Sequence, residues 1–128
     1  MKARVVANLI VLILLGLSFS IPTSAQPAVF VNRLRYGTFG FYSGVFVNVT
    51  SYWSSSLDLV TFAVWKNSQG QTVEVTTAGL TLPSVSNDVA FAPLLNPLTS
   101  GSYVAIVFIV TTNNNPVSNL VTISINIP

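Results

Sequence analysis

The stretch Gly-Ser-Tyr-Val-Ala-Ile-Val-Phe-Ile-Val-Thr-Thr, residues 101–112, decides the fold of this chain. It is rich in β-branched and aromatic residues, and turn-forming residues flank it, with Ser100 before it and Asn-Asn-Asn-Pro at 113–116 after it. This pattern predicts a central β-strand. The run is apolar at both odd and even positions, whereas a strand with one solvated face alternates apolar with polar residues. The sequence therefore predicts that both faces of this strand are covered.

Six further segments have the composition of strands and are separated by turns rich in Gly, Asn, Ser and Pro. They are residues 28–36, 45–53, 57–66, 72–82, 89–95 and 121–127. The intervening segment 37–44 has three glycines among aromatic residues and is interpreted as either a bulged strand or a crossing between sheets. No segment has the helical period. The sequence thus predicts an all-β domain, a single antiparallel sandwich of about seven strands.

Two features resemble the immunoglobulin and fibronectin type III superfamily. Ser100-Gly101-Ser102-Tyr103 resembles the tyrosine corner that opens strand F, and Trp65 resembles the buried core aromatic residue. Ala105 stands where strand F of that superfamily carries a cysteine, and this chain has no cysteine. The resemblance implies an immunoglobulin-like β-sandwich in which the third and sixth strands are neighbours. It also implies that Tyr103 and alternate residues after it point inward.

The first 25 residues have the parts of a secretory signal peptide: a basic start that ends at Arg4, an apolar run at 5–21, and small residues up to Ala25. We therefore expect an N-terminal signal helix at 1–25, followed by a sandwich domain at 26–128. The mature domain is expected to be secreted to the extracellular cell surface, with no membrane contact after cleavage. The alternative is retention as an anchor, because a bilayer crossing needs as few as about 17 apolar residues.

Removal of the leader leaves a mature chain with three basic and three acidic residues, so it is formally neutral. Arg33 and Arg35 are only a pair, and nucleic acid is not an expected partner because no basic patch remains to neutralise phosphates. The chain has neither Cys nor His, and no Asp-rich loop is visible. We therefore expect no metal site and no cofactor.

The sequence offers no catalytic residue. Its three acids, Asp58, Glu74 and Asp88, lie in or beside turns and strands where solvated or capping roles are the default, and they do not indicate a glycosidase pair. Lys66 is the one base that could activate a hydroxyl, and it flanks a predicted hairpin turn. We interpret Lys66 as a surface lysine beside the hairpin. The alternative is an intramolecular isopeptide bond between this lysine and an Asn, with the help of an acid. We therefore expect that this protein is not an enzyme.

An inward Tyr103 leaves the alternate residues of the sixth strand on the outer side of the sheet, beside those of the third strand. We call this set the outer strip; it comprises Val60, Phe62, Val64, Val104, Ile106, Phe108 and Val110. The sequence predicts an exposed apolar patch, which is typical of an interface with a second copy or with other cell-surface proteins. The alternative is an intramolecular cover formed by segment 39–42 or segment 89–98.

Donor-strand exchange is a further way to cover an incomplete sheet. In this hypothesis Ala28, Val29, Phe30 and Val31 of one subunit complete the sheet of the next and build a filament. The neutral, cysteine-free composition, rich in Ser, Thr, Asn and Val, is similar to that of secreted archaeal surface-filament subunits of the thread type. That resemblance implies a structural or adhesive subunit that self-associates.

Asn48-Val49-Thr50 is an N-glycosylation sequon, and strand parity predicts that Asn48 points outward. Asn48 is therefore the candidate for an N-glycan. A second functional hypothesis is a monomeric extracellular binding module for carbohydrate or protein ligands. Its contacts would come from the aromatic residues near the glycine-rich segment and the serine loop, namely Tyr36, Phe41, Tyr42, Tyr52 and Trp53.

Overall fold

A computed structural model describes residues 28–128 of the chain. The predicted leader, residues 1–25, lies outside the described residues. The strands are β1 (Val29–Phe39), β2 (Tyr42–Ser51), β3 (Leu57–Asn67), β4 (Thr72–Leu82), β5 (Ser86–Pro93), β6 (Gly101–Thr111) and β7 (Val121–Ile127). They form two antiparallel sheets, one with the order β1-β2-β5 and one with the order β4-β3-β6-β7. The predicted all-β sandwich of about seven strands is confirmed.

The segment around Gly40 belongs to one sheet and does not cross between two. β1 continues to Phe39 and pairs there with Tyr42, so a two-residue turn at Gly40 and Phe41 closes a hairpin. Gly40 has a φ of 63°, a conformation that glycine adopts without a Cβ clash. β5 is an edge strand and ends at Pro93, as the missing N–H of that residue predicts.

The inner core lies between the two sheets and is built mainly from alternate residues of the strands. Val45, Val47 and Val49 of β2 are fully buried there and face Ala63 and Trp65 of β3 across the sandwich. This alternation of inward and outward residues follows from the strand period of two. The core therefore depends on strand register, because a slip of one residue would turn all these side chains outward.

Trp65 is the buried aromatic residue of this core, as the resemblance implied. It is fully buried and meets Tyr36 edge to face, with ring centroids 6.2 Å apart. Its Nε1 donates a hydrogen bond to Thr76 Oγ1 at 3.3 Å, so the one polar atom of the indole has a partner inside the core. On β6, Ala105 pairs with Trp65 and is also fully buried.

The tyrosine corner is also present. Tyr103 Oη donates to the backbone carbonyl of Thr99, four residues upstream, at 2.8 Å. Because the ring of Tyr103 is buried while its hydroxyl reaches back to the loop, the bond fixes the entry of the chain into β6. Ala105, Val107 and Ile109 then point into the inner core, which confirms the inward parity.

Two buried threonines allow a stability test of the inner core. Thr61 is fully buried and its Oγ1 has no hydrogen-bond partner, whereas the Oγ1 of Thr76 accepts from Trp65. We expect Thr61→Val to stabilise the protein by about 1 kcal/mol because it removes an unpaired hydroxyl at nearly constant volume. Thr76→Val is expected to destabilise it by about 1–2 kcal/mol because it leaves the indole N–H unpaired. Thermal unfolding of the two matched variants measures both shifts.

For a domain of this size, a change of 1 kcal/mol in the free energy of unfolding shifts Tm by about 4–8 °C. A loss of stability in Thr61→Val equal to that in Thr76→Val would mean that both hydroxyls are paired in solution, contrary to this account.

Candidate functional site

The outer strip lies on one face of the four-stranded sheet, on the side opposite the inner core. Phe62 pairs with Phe108, Val60 with Val110, and Val64 with Ile106, so the side chains of β3 and β6 form adjacent rows. The rings of Phe62 and Phe108 stack with centroids 5.5 Å apart and planes within 5° of parallel. These rows form a second apolar cluster that is separate from the inner core.

The centre of the outer strip is buried, and the predicted exposure of this strip is therefore wrong. Phe108 and Val110 are 0% exposed, Val64 is 1% exposed and Phe62 is 9% exposed. The margins at Val60, Val104 and Ile106 are half-buried. Within residues 28–128, the partly buried hydrophobic residues packed against the cluster are Val60, Val75 and Ile106, which share its sheet face. The facing sheet of the sandwich contributes none of them.

Neither intramolecular cover that the sequence offered lies on this strip. Residues 39–42 form the β1–β2 hairpin of the other sheet, where Phe39 packs against Phe46 and Phe91. Residues 89–98 comprise part of β5 and the loop after it. In that loop Leu94 enters the inner core, and Glu74 Oε1 accepts from the backbone N–H of Leu95 at 3.0 Å. The prediction that segment 39–42 or segment 89–98 covers the outer strip is therefore wrong, because both segments pack elsewhere in the molecule.

The predicted donor segment is part of the chain's own sandwich in this structure. Val29 and Val31 are buried in the inner core and pair with Ser51 and Val49 of β2. On the other side of the strand, Asn119 accepts from Val31 N–H at 2.8 Å and donates to Val31 carbonyl oxygen at 3.1 Å. Ala28 and Phe30 flank these contacts and are half-buried. The donor role remains a prediction, and it requires this edge segment to leave its own subunit.

A bulge separates this segment from the rest of β1. The pairing register with β2 shifts between Val31 and Arg33, so Asn32 has no direct partner. Its Nδ2 instead donates to Asn48 Oδ1 at 3.1 Å and to Thr50 Oγ1. The bulge therefore fixes the side chains of the sequon and also turns Arg33 and Arg35 onto the outer face of the three-stranded sheet.

That outer face carries a shallow groove that sequence reasoning did not identify. The groove has a volume of about 290 Å³ and is lined by Arg33, Arg35, Phe46, Asn48 and Val89. Cross-strand register explains the set, because Arg33, Asn48 and Val89 form one row and Arg35, Phe46 and Phe91 form the next. The signal in the sequence was the shared parity of the two arginines, but the register that joins them to β2 and β5 is not visible there.

The groove combines positive charge with aromatic surface. The Arg35 guanidinium carbon lies 4.4 Å from the centroid of the Phe46 ring, a cation–π contact. The Phe46 ring also lies 4.7 Å from that of Phe91 and 6.4 Å from that of Phe39. Packing on these rings restricts Arg35 while leaving its N–H donors at the surface.

The aromatic residues of the binding-module hypothesis are not brought together. Tyr36 points into the core against Trp65. Phe41 and Tyr42 lie at the β1–β2 turn, whereas Tyr52 and Trp53 follow the opposite end of β2. Since β2 has ten residues, the two groups are roughly 30 Å apart along the strand.

The three acids of residues 28–128 are also dispersed. Asp58 Oδ1 accepts from Thr81 Oγ1 at 2.9 Å, Glu74 holds the loop after β5, and Asp88 Oδ1 accepts from its neighbour Val89 N–H at 2.8 Å. No group of three potential metal-binding side chains of the His, Cys, Asp and Glu types occurs in this described part of the chain. Residues 28–128 also contain no helix with the length and apolarity needed to span a membrane.

Comparison with known proteins gives a fold likeness. No protein-family model matches the chain, and no curated protein matches it significantly. Among solved structures, a β-glucuronidase from glycoside hydrolase family 2 matches with a TM-score of 0.59 at 9% identity, over 78% of this chain and 13% of that one. The Bacteroides uniformis β-glucuronidase matches with a TM-score of 0.55 at 8% identity, over 78% and 14% of the two chains.

A putative β-galactosidase from Bacteroides fragilis matches with a TM-score of 0.51 at 12% identity, over 80% of this chain and 16% of that chain. The chain has an immunoglobulin-like β-sandwich fold. It spans only a small part of these large enzymes, about a seventh of their length. The likeness therefore concerns one β-sandwich domain in each and does not extend to a catalytic activity.

The position of the sequon generates a prediction about modification. Asn48 and Thr50 are two residues apart on β2, so they share the outer sheet face. When the chain is exported by a host with N-glycosylation machinery, we expect a glycan on the wild type and on Thr50→Ser. We expect none on Thr50→Ala, because the sequon needs a hydroxyl at that position. Intact-mass spectrometry distinguishes the variants, and masses that match the unmodified polypeptide for all three proteins would refute the modification.

Proposed function

We propose that this chain is a non-enzymatic, exported cell-surface subunit with a structural or adhesive role that self-associates through the outer strip. The observation that carries the proposal is the stacked Phe62–Phe108 cluster, which forms a second apolar core on the outer side of the four-stranded sheet. Its centre is excluded from water although the opposing sheet of the sandwich lies on the other side. In the proposed assembly, a second subunit packs against this face of the sheet.

The energy of burial favours such an assembly. Each Val, Ile or Phe side chain gains about 1.5–3 kcal/mol when it is fully removed from water. Val60, Val104 and Ile106, at the margin of the outer strip, are half-buried, so a second subunit would remove their remaining apolar surface from water. Two sheets pack face to face about 10 Å apart, which is the geometry a second outer strip would adopt. The formal neutrality of the mature chain means that little charge repulsion opposes the contact.

Donor-strand exchange is the finer form of this proposal. The segment 28–31 is held on both sides by hydrogen bonds, to β2 and to the loop at 117–119, and the Asn32 bulge ends it. If the segment moved to the next subunit, it would make the same contacts there, so the exchange conserves them. Repetition of a contact of this head-to-tail kind builds an open filament, whereas a face-to-face strip contact closes as a dimer.

The first test is the molar mass of the exported protein, measured by size-exclusion chromatography with light scattering over a concentration series. We expect assemblies larger than a monomer in the wild type and monomers in Phe108→Asp, because a carboxylate in an apolar contact loses its hydration without gaining a partner. Ile106→Lys, at the half-buried margin of the strip, is a milder variant expected to weaken association at least about tenfold. Val89→Lys adds the same charge on the other sheet and should leave association unchanged.

Near-ultraviolet circular dichroism, to which the buried Trp65 contributes, reports whether each variant is folded. A folded Ile106→Lys variant that assembles like the wild type would overturn the outer strip as an interface. A wild type that stays monomeric at every concentration would overturn self-association itself.

Cysteine cross-linking separates strand exchange from face-to-face contact. Val31 and Val49 are Cα partners across β1 and β2, and the chain has no cysteine of its own. In the double variant Val31→Cys, Val49→Cys, oxidation of an exchanged assembly is expected to join different subunits and to give a ladder on a non-reducing gel. An intramolecular bond in an assembled protein would instead exclude exchange of this segment.

A second candidate function is a monomeric extracellular binding module. The specific observation in its favour is the groove of Arg33, Arg35, Phe46, Asn48 and Val89, which joins charge and aromatic surface on the other sheet. The fold likeness to one β-sandwich domain of glycoside hydrolases is compatible with a carbohydrate-binding module. A strictly monomeric protein that binds a ligand in this groove would favour this candidate over self-association.

A further inference from the structure

We propose that the groove on the outer face of the three-stranded sheet binds a uronic acid residue of an acidic polysaccharide. The site lies on the sheet opposite the outer strip, so it does not depend on self-association. Three properties define the ligand: a negative charge, an apolar face and hydroxyl groups.

The negative charge follows from how the ionisable residues are distributed. Residues 28–128 contain three basic side chains, Arg33, Arg35 and Lys66, and two of them line this groove. Asp58 and Glu74 belong to β3 and β4 of the other sheet. Asp88 lies in β5 with its Oδ1 bonded to the backbone of Val89. The groove therefore presents positive charge in a chain that is formally neutral after removal of its leader.

The arrangement of the arginines favours a carboxylate. Arg33 and Arg35 are two residues apart on one strand, so both extend over the same face of the sheet. A guanidinium binds a carboxylate through two parallel N–H donors, and this bidentate geometry is specific to planar anions. The contact of Arg35 with the Phe46 ring at 4.4 Å orients one of the two guanidiniums before a ligand arrives, which lowers the entropic cost of binding.

The remaining lining residues fit the ring of a sugar. Val89 is 50% exposed and, with Phe46, offers an apolar surface for the C–H face of a pyranose ring. Asn48 Oδ1 accepts from Asn32, which orients the Asn48 amide so that its Nδ2 can donate to a hydroxyl group. The volume of about 290 Å³ lies at the lower end for ligand sites, which suits a single sugar residue.

The experiment uses the full chain exported into the periplasm of a bacterium without N-glycosylation, because a glycan on Asn48 would occupy the same groove. Nuclear magnetic resonance titrations with D-glucuronate, D-glucose and acetate separate the contribution of the carboxylate to binding from that of the sugar ring. Glucose has the ring without the carboxylate, and acetate has the carboxylate without the ring. We expect glucuronate to shift the backbone amide signals of Asn48 and Val89 and to bind at least about tenfold more tightly than either control, because each control lacks one set of contacts.

Charge-neutralising variants test the assignment of the arginines. Arg33→Gln and Arg35→Gln are each expected to weaken glucuronate binding by about tenfold or more, since each removes charge-assisted hydrogen bonds. Lys66→Gln removes the same charge from the other sheet and is the matched control, with an expected change of less than about twofold. The arginines and the lysine lie at the surface or beside it, so the three variants should keep the fold.

Three results would overturn the proposal. Acetate binding as tight as glucuronate binding would mean an unspecific anion contact, and glucose binding as tight would mean that the arginines play no part. An equal loss in Lys66→Gln would mean that net charge, and not the groove, attracts the ligand.

Discussion

Nine residue pairs join β3 to β6, from Leu59 opposite Thr111 to Asn67 opposite Tyr103. These two strands are the central strands of the four-stranded sheet, and both are apolar on each face. Their pairing divides the molecule into two apolar layers: Trp65 and Ala105 lie in the inner core, and Phe62 and Phe108 lie in the outer strip. The other sheet completes the first layer. The second layer lies on the face of the four-stranded sheet that points away from the other sheet.

Side-chain hydrogen bonds fix where this pair of strands begins and how it is oriented. Tyr103 Oη holds the chain at Thr99 as it enters β6, and Trp65 Nε1 binds Thr76 of the neighbouring β4. Because Trp65 is fully buried, a slip of β4 along β3 would leave its indole N–H unpaired as well as expose apolar surface. The Tyr103 bond is local, and it fixes the position from which β6 runs beside β3.

The fold was accessible from the sequence because local pattern carries it. β-Branched runs and turn residues identified the strands and the sandwich, and the resemblance of residues 100–103 to a tyrosine corner implied the inward parity. The positions of segments 39–42 and 89–98 were not accessible, since both segments are as apolar as a cover of the outer strip would be. Only tertiary pairing reveals that Phe39 packs on Phe46 and Phe91 in the other sheet. The groove was missed for a similar reason: Arg35 and Phe46 become neighbours only through the β1–β2 register, which the Asn32 bulge shifts.

Hydrogen bonds on both edges of the segment 28–31 determine how the domain responds to tension. This segment bonds to β2 along one edge and, through Val117 and Asn119, to the loop that leads into β7 along the other. Tension applied at Ala28 acts along the strand direction, so it loads these bonds together in shear and does not open them one at a time. The last strand, β7, lies in the other sheet, and a pull between the two ends of the domain passes through this junction. Under such a pull, the hydrogen bonds at this junction of the two sheets would resist together.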